Sequence, residues 1–320
     1  MGHENSTAVR EFVLLGLSHS HRVQALLFSF FLLFYVAVLP SNVLLILTVR
    51  GDSQLGSPLH FFLANLAFLD ICYCSVTLPK MLADLFSSPK TVSYNACVAQ
   101  LSFLHILGAA EIFLLSAMAY DRYVAICQPL RYATLVSGAV CRALLAASWG
   151  GGLVHGVVLF ALTITLPFCG PNVLDNFFCD VRQLAKLACT NTRTVELLMF
   201  LNNGAVVVLC FVLLLTSYTA LLLKLRARSS QAKKKITSTC ISHMLVVLLT
   251  FGPAIYIYVL PFQAVPMEKV VALFHTVVFP LTNPIIYTLC NKEIRSSMGR
   301  LVHKHSVRRG LFTKYFGANK

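Results

Sequence analysis

Apolar residues in this chain gather into seven blocks separated by short polar stretches, at roughly 26–49, 58–79, 98–121, 143–166, 197–223, 236–260 and 270–290. The first block carries no charge and each of the others very few. A helix needs ~20 predominantly apolar residues to cross the hydrocarbon core of a bilayer. Backbone amides in lipid must be satisfied inside the span, which leaves helices or a closed barrel. None of the blocks keeps the strict alternation of a barrel strand, so each is predicted to be a helix. The pattern therefore predicts an all-α membrane protein, a seven-transmembrane helix bundle over 26–290, with a polar tail at 1–25 and a basic tail at 291–320 that is expected to carry a short helix along the membrane surface. No repeat, long linker or low-complexity tract interrupts it.

Composition agrees, and charge adds an orientation. Apolar residues make up 57% of the chain and charged residues 12%, about half the ~25% charged residues of a soluble domain. Cytoplasmic loops carry an excess of Lys and Arg. With the N-terminus outside and the C-terminus cytoplasmic, 18 of the 26 Lys and Arg fall inside, including Arg50, Arg122, Arg131, Arg142, the run from Lys224 to Lys235 and the tail from Lys292. Only Asp52, Asp121 and Glu293 accompany them there. The net charge of +14 is then a property of the cytoplasmic face, explained by topology and contact with anionic membrane lipid. It calls for no nucleic acid.

Residues 1–22 are polar and mixed, without the apolar stretch of a cleavable signal peptide, so the first block is expected to direct insertion. Asn5-Ser6-Thr7 on the outer tail fits the N-glycosylation acceptor pattern. Four cysteines, Cys97, Cys169, Cys179 and Cys189, fall on the oxidising side. An even number there predicts two disulfides, with three pairings open. The other seven lie in helices or inside, as small apolar residues.

Several polar residues sit where a plain anchor helix has no use for them. Asn42, Asp70 and Asn283 lie at similar predicted depth, where hydrogen bonds among them would join helices. Pro284 removes a backbone bond and kinks the last helix. Glu111 precedes Asp121 by ten residues, about three turns deeper. Asp70 and Glu111 could share a cation or a proton, since two nearby carboxylates resist joint ionisation. The plainer alternative is that Glu111 bonds polar neighbours. At the end of the third block, Asp121-Arg122-Tyr123 puts a charged pair at the membrane boundary, a costly placement unless it is paired or functional.

The run around that triplet, Met118 to Tyr132, reads MAYDRYVAICQPLRY. It closely resembles the junction of the third helix and second inner loop in vertebrate olfactory receptors, a branch of the rhodopsin-like G-protein-coupled receptors. Asn283-Pro284-Ile285-Ile286-Tyr287 resembles the NPxxY motif of the same receptors. Lys235 to His243 resembles their KAFSTCxSH signature, with Ile236 and Thr237 in place of Ala and Phe. Pro58 to Leu63 stands where the family writes PMYFFL, Ser41-Asn42 replaces Gly-Asn, and Pro280 to Pro284 replaces PMLNP. The likeness spans about residues 5–298. It implies a Cys97–Cys179 bond, with Cys169–Cys189 closing the outer loop on itself. It further implies a switch built on Asp121, Arg122, Tyr123, Asn283, Pro284 and Tyr287, and a sodium-like ion at Asp70 and Glu111. No other cofactor is expected.

A receptor of this kind binds small molecules among the outer halves of helices 3, 5, 6 and 7. Leu104, His105, Gly108, Ala109 and Ile112 share one helical face, and Gly108 and Ala109 leave room for a guest. Asn202, Asn203 and Val206 are the candidates on helix 5, and Phe251, Ile255 and Tyr258 those on helix 6. Half of this set is expected to line the cavity, while Leu114 and Leu115 are expected to face lipid. His105 could hydrogen-bond a ligand, bind metal or satisfy a backbone carbonyl. No second histidine or cysteine stands at metal-ligand spacing beside it, so no metal is expected. Leu104 occupies the position where amine receptors carry Asp, which argues against a cationic amine.

The resemblance implies an odorant receptor that binds small, weakly polar volatile molecules. It implies coupling to a heterotrimeric G protein of the stimulatory olfactory type, from the plasma membrane of sensory cilia. A rhodopsin-like receptor for a non-odorant small molecule is the main alternative. A transporter fits less well, since internal repeats are absent, and a retinal protein lacks its lysine within 270–290. No HExxH, GxSxG or P-loop pattern points to an enzyme.

Overall fold

In a computed structural model of the chain, residues 9–301 are described, apart from 19, 170, 227–229, 259–266 and 292. Asn5 and the tail from 302 onward lie outside the described residues, as do the side chains of 225–239. Helices α1 (His21–Gly51), α2 (Pro58–Asp84), α3 (Tyr94–Cys127) and α4 (Gly138–Ile164) come first. The fifth, α5, runs through Arg193–Phe200, a π-helical turn at Leu201–Ala205, and Val206–Arg226. Then follow α6 (Ser230–Tyr258) and α7, which runs through Glu268–Leu273, a second π turn at Phe274–Val278, and Phe279–Cys290. The first five are long and apolar enough to cross a membrane, and shorter apolar stretches at His243–Tyr258 and Lys269–Val278 complete the seven-helix bundle among the described residues.

Each span outruns its apolar block at one end or both. The helix α1 begins at His21, inside the region expected as a tail, and α3 continues to Cys127, past the Asp-Arg-Tyr triplet. Hydropathy marks only the part of a helix that meets lipid, whereas caps mark its ends. Ser93 caps α3 by accepting from the Ala96 N–H at 3.3 Å, and Ser137 caps α4 through Val140 at 3.4 Å.

The helix α3 is the axis of the bundle, buried over most of its length. That corrects one expectation. Leu114 and Leu115 are both fully buried, because α3 packs against α2, α4, α5 and α6; its exposed large residues are Phe103 and Tyr120. Along α4, Gly152 and Gly156 let the backbone come close to α3. A Cβ at Gly152 would lie 2.5 Å from the Ile106 carbonyl oxygen, and one at Gly156 would lie 2.2 Å from Ile106 Cγ1. Small residues four apart permit this approach.

One end of the bundle carries a small sheet that the apolar pattern gave no sign of. Strand β1 (Glu11–Leu14) pairs antiparallel with β2 (Thr91–Ser93) and parallel with β3 (Val173–Leu174). In β1 the alternation is complete: Phe12 and Leu14 are buried and Glu11 is exposed. Phe12 meets Phe168 edge-on at 5.5 Å between ring centres. At the opposite end, residues 293–301 form a helix held to the loop after α1. Asp52 accepts from the Ser297 hydroxyl and the Arg300 guanidinium, each at 2.5 Å.

Candidate functional site

Both disulfides lie at the sheet end. Cys97, in the first turn of α3, joins Cys179 with 5.4 Å between Cα atoms, and Cys169 joins Cys189 at 5.7 Å. The first draws the segment before the short loop helix Val181–Leu187 down onto α3. The Cys179 N–H donates to Gln100 Oε1 at 3.0 Å, fixing that segment further. Arg182, wholly buried, donates to the Ile257 carbonyl at the end of α6. Lys269 at the start of α7 pairs with Asp175 and reaches the Gly16 carbonyl at 3.4 Å. Loop, N-terminal strand and α7 are thus tied together above the bundle.

Beneath this cap lie two adjoining hollows. Tyr73, Leu104, His105, Tyr258 and His275 border both. Of the eleven residues proposed from sequence, eight are in the walls: Leu104, His105, Gly108, Ala109, Ile112, Asn203, Val206 and Tyr258. Three are not. The Asn202 amide donates to the His155 carbonyl at 3.2 Å and so links α5 to α4. Phe251 is fully buried and stacked on Phe211 at 5.5 Å. Ile255 packs into the core, while its neighbours Ala254 and Tyr258 turn to the cavity.

Sequence reasoning missed the walls supplied by α2 and α4, and named no residue on α7, whose His275 borders both hollows. Tyr73 comes from α2, and His155 comes from α4 just before Gly156. The close approach at Gly152 and Gly156 brings the His155 ring within 5.8 Å of His105; the Gly-x-x-x-Gly spacing was the available signal. Both π turns face the cavity, one with Asn203 and the other with His275 and Thr276. An extra residue in a turn shifts every later side chain around the helix. A second histidine, His155, thus stands beside His105 in space. Among the described residues no group of three metal-ligating side chains forms.

Midway along the bundle is a polar cluster. The Asn283 amide donates to both Asp70 oxygens, at 3.0 and 3.1 Å. The Asn42 amide donates to the Val38 and Pro280 carbonyls, both at 3.2 Å, joining α1 to α7. Glu111 is buried beside the same Asn283 side chain. Glu111 Oε1, Asn283 Oδ1 and the Tyr287 hydroxyl are buried without a hydrogen-bond partner. Pro284 lies within α7, one residue beyond Asn283.

At the end away from the sheet, Arg122 Nε donates to Asp121 Oδ2 at 2.7 Å, and a second guanidinium nitrogen joins it. Asp121 Oδ1 accepts from the Tyr132 hydroxyl at 2.7 Å. The Asp121 side chain is fully buried while that of Arg122 keeps 17% of its surface exposed. Tyr123 packs half-buried against the core. Burial, and then the bond to Asp121, push the Tyr132 phenol well above its ordinary range, so it stays a donor at neutral pH.

Comparison with known proteins bears on the whole of this arrangement. A family model described as olfactory receptor matches residues 30–305. Olfactory receptor 4N5 of Homo sapiens is 53% identical over 302 residues, covering 94% of this chain and 98% of that protein. Olfactory receptor 4M1 of Mus musculus is 52% identical over 303 residues, covering 94% and 97%. Olfactory receptor 4Q2 of Homo sapiens is 50% identical over 314 residues, covering 97% and 98%.

Proposed function

Because the chain belongs to the olfactory receptor family, we propose that an odorant bound beneath the disulfide-tied cap drives a stimulatory olfactory G protein and cyclic AMP synthesis. The protein is a multi-pass membrane receptor for odorants, working with a G protein partner, and not an enzyme. In our reading the N-terminus and the sheet face outward, the tail is cytoplasmic, and the site of action is the plasma membrane of sensory cilia. Asn5 would then carry glycan. Basic residues such as Arg131 and Arg142 would line the cytoplasmic face.

The bond of Asp121 to both Arg122 and Tyr132 carries this reading. A buried carboxylate with two partners holds the arginine back along α3. Agonist contacts on α3, α5, α6 and α7 favour a second arrangement in which Arg122 leaves Asp121 for the G protein. A ligand shifts that equilibrium only by its difference in affinity between the two states. Tyr123, Asn283, Pro284 and Tyr287 would carry the rearrangement through the lower bundle, and the lone buried Tyr287 hydroxyl gives it a group that gains a partner.

The Asp70 cluster fits a sodium-like ion. Two carboxylates, with Glu111 Oε1 and Asn283 Oδ1 buried and unpartnered, form an all-oxygen donor set of the kind hard cations prefer. Asp70, Glu111 and Asn283 would hold the ion, and its charge would bind α2, α3 and α7 together.

The test is cyclic AMP output from cells that display the full chain, challenged with a broad panel of volatiles. Arg122→Ala at equal surface density is expected to abolish the response of every active ligand. Full signalling by that variant contradicts the switch.

A further inference from the structure

The cavity walls specify more about the ligand than its size. Among the described lining residues there is no lysine or arginine, and one carboxylate, Asp180. Its Oδ2 already accepts from the Arg182 N–H within the loop at 3.1 Å. The walls therefore hold no fixed cation for an anionic ligand, and their one anion is engaged. What they hold instead is rings. Tyr73, His105, His155, Phe178, Tyr258 and His275 all border the space. His105 lies 5.8 Å from His155 and 5.7 Å from Tyr258, and Tyr73 lies 6.0 Å from His275, measured between ring centres. These spacings fall in the range at which aromatic rings attract one another edge-on or offset. A flat aromatic guest extends that array.

Two of the histidines leave a need unmet. His155 Nδ1 on α4 and His275 Nδ1 on the π turn of α7 are buried and have no hydrogen-bond partner, although the His155 ring also meets the Asn203 side chain. Buried polar atoms are almost always bonded, and one that is not calls for a missing partner. Both residues line the second hollow, one from α4 and one from α7. A neutral imidazole offers one donor and one acceptor. A hydroxyl, which both donates and accepts, serves either nitrogen, and a carbonyl serves the donor.

We infer that the cavity selects neutral aromatic molecules carrying a hydrogen-bonding group at each end of the ring, one meeting His155 and the other His275. The inference rests on the reading of the chain as an odorant receptor and names the ligand class of that site.

The experiment compares 4-hydroxybenzaldehyde with benzaldehyde, phenol and toluene on the full-length receptor, reading cyclic AMP, with octanol and octanal as aliphatic volatiles. The two-ended compound is expected to have an EC50 about tenfold or more below either one-ended compound, the gain of one good hydrogen bond. His155→Phe and His275→Phe should each erase that advantage while leaving toluene unmoved, and His155→Gln, which keeps a donor and an acceptor, should restore most of it. Surface labelling excludes variants that fail to fold. Equal potency across the aromatic series overturns the proposal, as does a shift of all ligands alike in the two Phe variants. Response to octanol or octanal with silence to every aromatic overturns it too and leaves the receptor reading standing. Silence to the aromatic series and to every other volatile sinks both.

Discussion

The Asn283 amide spans the Asp70 carboxylate, donating to one oxygen at 3.0 Å and to the other at 3.1 Å. This pair joins α7 to α2 at the depth where both are buried, next to a second acid, Glu111. Removing one partner strands the other, whereas removing both strands nothing. Asn283→Ala should therefore cost roughly 1–3 kcal/mol of stability, and the double change Asp70→Leu with Asn283→Leu should cost less than the two single changes added together. Thermal unfolding of purified receptor measures this. Strict additivity would mean that the two side chains do not depend on each other.

Tyr132 acts from the loop after α3 on the same carboxylate that holds Arg122. Hydrogen bonds to charged groups contribute about 1.5–3 kcal/mol, and this one exists only while Asp121 stays in place. Tyr132→Phe should raise agonist-free cyclic AMP several-fold at unchanged surface density. The phenol is pushed upward by burial and by Asp121, so the wild-type basal signal should stay flat from neutral to mildly alkaline pH. An unchanged basal level in Tyr132→Phe would remove this tyrosine from the resting lock.

Asp52 fastens the helix at 293–301. Hydrogen bonds from Ser297, then Arg300, then the Gln54 N–H hold its carboxyl down at about 2, against an ordinary value of 3.8. A group depressed in the folded state stabilises fully above its ordinary value, and that contribution disappears as pH falls towards the depressed one. Amide exchange over 293–301 should be constant from pH 7 to about 5 once corrected for intrinsic rates, then speed up below about 4. Asp52→Asn should speed it at every pH and flatten the profile. A wild-type profile with no acid limb would show that the contact does not hold the helix.

How much of this was legible in the sequence differs from element to element. The spans announce themselves because lipid demands long apolar runs, and the Asp-Arg-Tyr and Asn-Pro contexts stand out because charge and proline are costly there. The sheet was invisible. Four residues of alternation at Glu11–Leu14 are a weak signal, and their partners at Thr91 and Val173 are far away in sequence. Helical spacing placed the α3 wall well, since α3 is regular through that stretch. It named no residue on α7, where His275 sits on a π turn that breaks the 3.6-residue phase. It failed at Phe251 because spacing tells which face a residue is on but not whether another ring, here Phe211, already fills that face. His155 was within reach, since its neighbours Gly152 and Gly156 mark a close helix approach.

The central claim is that the hollow beside α3 is where agonists bind, and Gly108 offers the most direct measurement of it. A Cβ there would sit 3.6 Å from Tyr73 Cε2, an ordinary contact, so larger side chains extend into the cavity rather than into backbone. Dose–response curves for agonists of graded size should be recorded on Gly108→Leu, with Phe103→Leu on the exposed face of α3 as the control. The largest agonists should lose potency first in Gly108→Leu while surface expression and basal cyclic AMP stay near wild type, and the control should be silent. If every agonist gives the same curve on Gly108→Leu as on the wild type, the ligand does not bind beside α3.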